Sequence, residues 1–357
     1  MSSTPQTPSN RPEVPPSRRS LPRQVALVAF VFVATLAILV GIAAVLREPS
    51  TVATTSTVPP EAAASVGIAG PSSSGPPSLG ESAPPGSPSP EGSGDPILIG
   101  AGDIAACDRD DDAQTAALLV DQPGTVFTAG DNVYPSGTAA QFAECYGPTW
   151  GRELARTWPT PGNHDHETAD LAGYLGYFGD AASPDGTTWY SHDIGTWHVI
   201  ALDATCVPAG GCGPESAQGR WLAADLAATD ALCTLAIWHQ PRFSSGEHGA
   251  DDAVGPFWDA LHVAGADVVV NGHDHDYERF APQDPAGRAD PERGIREFVV
   301  GTGGAEVRDF GVQAANSQLR VAGYFGVLRL VLHRSSYEWS FLTTSGAVLD
   351  AGNGLCH

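Results

Sequence analysis

The chain has 357 residues, 42% of them hydrophobic, with 18 Lys+Arg against 41 Asp+Glu and a formal charge of −23. Every basic residue is Arg. The acidic balance excludes a nucleic-acid scaffold, whose phosphate affinity needs clustered Lys and Arg. The 30 Pro and 41 Gly exclude a coiled coil or helical bundle and predict that part of the chain does not fold.

Residues 1–24 are polar and Pro/Ser-rich, with Arg11, Arg18, Arg19 and Arg23 as their basic residues. Residues 25–46 then run 22 positions without a charge, enough to span a bilayer at about 1.5 Å per residue. Four Arg precede this run and Arg47 follows it, so the positive-inside rule predicts a cytoplasmic N-terminal tail and an extracytoplasmic remainder. The apolar run exceeds the roughly 7–15 residues of a cleaved signal, which predicts a retained single-pass anchor in the cell membrane. The Arg18-Arg19 pair and the Ala62-Ala63-Ala64 stretch leave secretion after signal cleavage open. Residues 47–95 are mostly Pro, Ser, Gly, Thr and Ala and bury too little surface to offset ordering entropy, so a disordered linker is expected.

From Pro96 to His357 the texture changes to apolar runs separated by turn signals, a length suited to one domain. Five of the 18 basic and six of the 41 acidic residues precede Pro96, so this part carries 13 Arg against 35 acids. All six cysteines lie here. An even count outside the cytoplasm reads as three disulfides. Cys206 and Cys212 bracket a Gly-rich loop and are the favoured pair; the other pairings stay open.

Short apolar runs predict strands at 97–99, 126–128, 235–238 and 268–270, with helices near 113–120, 216–228 and 256–264 between them. Residues 187–204 and 324–349 alternate like hairpins. The expected fold is α/β, an α+β sandwich of two mixed β-sheets flanked by helices. Strands buried on both faces present polar residues at their C-terminal ends, where open α/β sheets bind ligands.

Those ends carry Asp103; Asp131 and Tyr134; Asn163, His164 and Asp165; His239; and His273 and His275. Carboxylate, imidazole and amide donors suit iron, zinc or manganese, and the adjoining glycines suit sharp turns off a strand. A lone Gly-Asp is usually a turn and a lone His usually structural. Five such pieces in series, each after an apolar run, predict a metal centre at the strand ends.

The set resembles the calcineurin-like metallophosphoesterases and, within them, a small catalytic-domain-only form of the purple acid phosphatases. The wider family has Asp-x-His in its first motif, whereas Asp103-Ile104-Ala105 stands here. The purple acid phosphatase pattern instead places a Tyr three residues after the second Asp, and Tyr134 occupies that position. The stretches ending His239-Gln240-Pro241 and running Gly272-His273-Asp274-His275-Asp276-Tyr277-Glu278-Arg279 also resemble that family's motifs.

The resemblance implies two metal ions bridged by Asp131, one held by Asp103, Tyr134 and His275, the other by Asn163, His239 and His273. An ordinary tyrosine ionises near pH 10, so a tyrosinate ligand needs a strongly polarising ion. That points to iron(III) in the first site, with iron(II), zinc(II) or manganese(II) in the second. His164 is the expected proton donor, oriented by Asp165, and His248 a second substrate-facing histidine that binds phosphate or shares the acid role.

His192, His198 and His333 read as structural, Asp110-Asp111-Asp112 as a solvated helix start, and the Trp-rich stretches as packing. The Gly301-Thr302-Gly303-Gly304 turn lines the pocket or ends a strand. The expected activity is hydrolysis of small phosphomonoesters by water activated between the metals. A phosphodiesterase or nucleotidase with two divalent ions is the alternative, and a catalytically weak envelope binding protein the second.

Overall fold

The computed structural model describes residues 94–357 except Asp121. The expected tail, membrane span and most of the linker lie outside the described residues. Among the described residues no helix is long and apolar enough to cross a membrane.

Two mixed sheets form the body. The first has the order β15-β14-β13-β1-β3-β5, with β1 Ile97–Ala101, β3 Thr125–Thr128, β5 Thr157–Trp158, β13 Gly326–Leu332, β14 Ser336–Thr343 and β15 Val348–Leu355. The second runs β12-β10-β11-β9-β8-β7-β6. Its strands are β6 Tyr190–Ile194, β7 Trp197–Ala201, β8 Cys233–Ile237, β9 Val268–Asn271, β10 Tyr277–Phe280, β11 Arg296–Val300 and β12 Ser317–Val321. β1, β3 and β5 are parallel, as are β7, β8, β9 and β11, while β6, β10, β12 and β13–β15 pair antiparallel. A small parallel pair, β2 Ala105–Ala106 and β4 Val133–Tyr134, joins the first two site loops.

The pleat of the second sheet divides its side chains between two cores. Leu235, Ile237, Val268 and Val270 join Leu98, Val126, Leu328 and Leu330 of the first sheet in the central layer. Ala236, Trp238 and Val269, one residue out of phase, pack instead with Leu222, Phe257, Trp258 and Leu261. Those last four belong to helices α3 (Ala217–Ala228) and α4 (Gly255–Ala264), which cover the outer face. Burial on both faces explains the unbroken apolar runs of β8 and β9. Ser216 caps α3 by accepting from Gly219 N, and Gly265 ends α4 in the left-handed conformation at φ 79°.

Helix α1 (Asp111–Val120) begins two residues before the predicted stretch. Its Asp112 is not solvated as expected: it is buried and accepts from the Thr149 hydroxyl, because residues 149–156 fold over the helix start. Helix α2 (Ala172–Phe178) carries two glycines and gave no clear sequence signal. Cysteines pair as 107–145, 206–212 and 233–356, the middle pair as expected. Trp150 and Trp197 are fully buried, as packing residues should be. His192 packs against Trp158 in a tilted ring pair with centroids 4.5 Å apart.

Candidate metal centre

Five loops leave the C-terminal ends of β1, β3, β5, β8 and β9 and converge. Asp103, Asp131 and His273 take positive φ values of 58°, 48° and 72°, uncommon for residues other than glycine and concentrated at functional sites. Main-chain bonds tie the loops together: Asp103 N to Gly130 O at 3.0 Å, Ile104 N to Asp131 O at 3.0 Å, and Gly272 N to His239 O at 3.0 Å. Close approach explains two glycines. A Cβ on Gly130 would lie 2.5 Å from the His239 ring, and one on Gly162 would lie 2.2 Å from Asp131 Oδ1.

The side chains meet in two groups that share Asp131. The Tyr134 hydroxyl lies 2.7 Å from Asp103 Oδ1, 2.9 Å from Asp131 Oδ2 and 3.3 Å from His275 Nε2. His275 Nε2 is 3.2 Å from Asp103 Oδ1. On the other side His239 Nε2 is 3.1 Å from Asp131 Oδ2, and His273 Nδ1 is 3.3 Å from His239 Nε2. His239 Nδ1 donates to Ala129 O at 2.8 Å, which directs Nε2 inward as a ligand nitrogen. Asn163 Oδ1 is buried without a hydrogen-bond partner. The Gly301–Gly304 turn both ends β11 and buttresses the centre: a Cβ on Gly301 would lie 2.7 Å from Asp103 Oδ2.

The electrostatics fit cations. Burial works against the Asp103 charge, yet the His275 and His239 imidazoles outweigh it and hold its carboxyl well below the usual range. Burial opposes the His239 charge too, but Asp131 and Asp103 raise its pKa to about 9. Burial, then the neighbouring His239, pushes His273 down to about 3. Burial, then Asp103 and Asp131, pushes the Tyr134 phenol well above its ordinary value. An orphaned amide oxygen, two ring nitrogens facing each other and a phenol between carboxylates form a donor set suited to two borderline cations.

His164 stands beside this set. Its Nδ1 is 2.6 Å from Pro135 O, its Nε2 is 4.0 Å from Asp131 Oδ2, and its ring lies 4.3 Å from that of Tyr134. The expectation that Asp165 orients His164 is corrected. Asp165 Oδ2 instead accepts from Asn132 N at 3.1 Å, Asn132 Nδ2 at 2.9 Å and Gly162 N at 2.9 Å. Residues 165–167 form a helical turn, and Asp165 is drawn beneath the loops while His164 stays at the surface. Burial, then Asp131, raises the Asp165 pKa to about 7. The Pro135 carbonyl holds His164. His248 reaches the opposite side, its ring stacked on His273 at 4.4 Å and 26°.

A cavity of about 540 Å³ opens on Tyr134, His164 and His275, with Arg109, Glu306 and Arg308 on its wall. Arg308 and Glu306 gave no sequence signal. Asp274 and Glu278 were legible only as letters of a motif, yet both are fully buried beneath the centre.

The family model of the calcineurin-like phosphoesterases matches residues 98–277. The chain belongs to that family. The relatives of this calcineurin-like phosphoesterase include named acid phosphatases. Purple acid phosphatase 21 of Arabidopsis thaliana is 29% identical over 229 residues, covering 56% of this chain and 51% of the relative. Acid phosphatase A of Cryphonectria parasitica is 31% identical over 198 residues, covering 48% and 39%. The chain thus spans about half the length, or less, of the curated relatives it matches. The structure of purple acid phosphatase PPD1 from yellow lupin (Lupinus luteus) seeds superposes with a TM-score of 0.57 at 19% identity, covering 74% of this chain and 55% of that one. That likeness shows a shared fold.

Proposed function

We propose that this calcineurin-like phosphoesterase hydrolyses phosphomonoesters outside the cytoplasm with two metal ions, in the manner of the purple acid phosphatases it resembles. The observation that carries the reading is Tyr134, whose hydroxyl touches Asp103, Asp131 and His275 at once. Asp103, Tyr134 and His275 would hold one ion, Asn163, His239 and His273 the other, with Asp131 shared. Iron(III) is proposed beside Tyr134, with iron(II), zinc(II) or manganese(II) beside His239. Lewis-acid activation of the phosphoester and of water is the chemistry such ions supply.

The chain's own residues do the rest. Ala129 O and the loop glycines fix the His239 ring. His164, held through Nδ1 by Pro135 O at 2.6 Å, presents Nε2 toward the shared carboxylate and can pass a proton to a departing alkoxide. The cavity beside Tyr134 and His164 receives the leaving group. His248 faces the substrate phosphate from the other side.

Three disulfides among the described residues support an oxidising compartment, and the uncharged 22-residue run 25–46 supports attachment to the membrane. Turnover of p-nitrophenyl phosphate before and after chelation tests the activity. N-terminal sequencing of the mature protein tests the anchor: a start near Ser65 would replace attachment by secretion.

A further inference from the structure

The loop from Pro241 to Asp251 is fastened from beneath by three buried carboxylates. Arg242 N and Phe243 N donate to Glu297 Oε1 at 2.9 and 3.2 Å. Ser245 N and Oγ donate to Glu278 at 2.7 and 2.5 Å. His248 N and Gly249 N donate to Asp274 at 2.7 and 3.1 Å, and the Ser244 hydroxyl bonds the same carboxylate. Asp274, Glu278 and Glu297 are each 0% exposed. A stretch of Ser and Gly that would otherwise be loose therefore holds the backbone of His248 in one place.

The ring needs its own restraint, and Arg308 supplies it. Arg308 Nη1 bonds His248 Nε2. The guanidinium is itself fixed, with Nε donating to Glu306 Oε1 at 2.6 Å and Nη2 bonding the same oxygen. Arg308 N donates to His275 O at 2.8 Å, so one residue joins the loop of an expected metal ligand to the ring of His248. A guanidinium offers only N–H groups, so the histidine nitrogen it meets must accept. The ring proton of His248 is then on Nδ1.

We propose that Arg308 is a positioning residue that fixes the orientation and tautomer of the His248 ring, so that its Nδ1–H serves the substrate phosphate as a hydrogen-bond donor. Of the two roles the sequence leaves open for His248, this selects phosphate binding and leaves proton donation to His164. The proposal rests on the phosphoesterase reading of the site. Its rival is that Arg308 grips the phosphate directly, since it also lines the cavity.

A double-mutant cycle separates the two. Binding of inorganic phosphate to the full-length, metal-loaded protein is measured by calorimetry for wild type, His248→Ala, Arg308→Met and the double variant. Each single change is expected to weaken phosphate by about tenfold, the scale of one hydrogen bond to a charged group. The double variant should bind no more weakly than His248→Ala, Arg308→Lys should recover part of the loss, and metal stoichiometry should stay constant. Multiplied effects, a wild-type affinity in Arg308→Met, or loss of metal from that variant would overturn the proposal. Wild-type turnover, followed separately, tests the phosphoesterase reading on its own.

Discussion

Tyr134 donates its hydroxyl to Asp103 Oδ1 across 2.7 Å, joining loops that start from different strands. The parallel pair of β2 and β4 sets this up, since Ala105 and Ala106 lie in register with Val133 and Tyr134. The half-buried phenol lies between two carboxylates, an arrangement that suppresses its ionisation unless a cation is present. We therefore expect a visible tyrosinate-to-iron(III) band in the metal-loaded protein that Tyr134→Phe abolishes. A fully metallated wild type without the band would replace iron(III) by a divalent ion.

Gly162→Ala should empty the centre without unfolding the domain. The added Cβ would lie 2.2 Å from Asp131 Oδ1 and 2.3 Å from Asp131 N, forcing both the loop backbone and the carboxylate proposed to be shared by the two ions to shift. Metal content should fall toward zero while far-ultraviolet circular dichroism stays that of wild type. Full metal content in the variant would show that Asp131 is not the shared ligand.

His164→Ala should slow turnover by about 10²–10⁴-fold on alkyl phosphates, the usual range for a lost general acid. On p-nitrophenyl phosphate, whose leaving group needs no proton, the loss should be much smaller. Equal losses on both substrates would remove the acid role. Asp165→Asn, by contrast, should act on loop order, because its contacts are Asn132 and Gly162.

Away from the centre, His198 on β7 is clamped between Asp193 Oδ1 on β6 and Asp225 Oδ2 on α3, both at 2.8 Å. Burial opposes its charge, but Asp225 and Asp193 outweigh it and raise its pKa. A raised folded-state pKa stabilises the fold below the unfolded value and loses that effect as pH rises through the folded value. His198→Asn should thus cost about 1–2 kcal/mol near pH 5, given one exposed partner. The deficit should shrink at alkaline pH in thermal melts; a deficit that grows with pH would contradict the clamp.

The convergence of Asp131, His239 and His273 was legible because each follows an apolar strand and belongs to a residue type that binds cations. His239, His273 and Asp131 stand where those signals put them. The partner of His164 was not, because neighbouring side chains in a tight loop point apart, and Asp165 turns inward while Pro135 supplies the contact. Arg308 was hidden for another reason: its partner His248 is 60 residues away, and a surface arginine carries no pattern. In the fold, hairpins and buried strands followed from alternation and apolar runs. The two-residue strands β2 and β4 are too short to leave a period, though they place Tyr134.

Whether this domain is a two-metal phosphoesterase is decided by its turnover per bound metal. Full-length protein is assayed on p-nitrophenyl phosphate as purified, after chelation and after reconstitution, with metal content measured in each state. Two ions per chain are expected, with loss of turnover when they are removed and recovery when they return. Two ions bound with no turnover on any phosphoester would contradict the two-metal phosphoesterase reading.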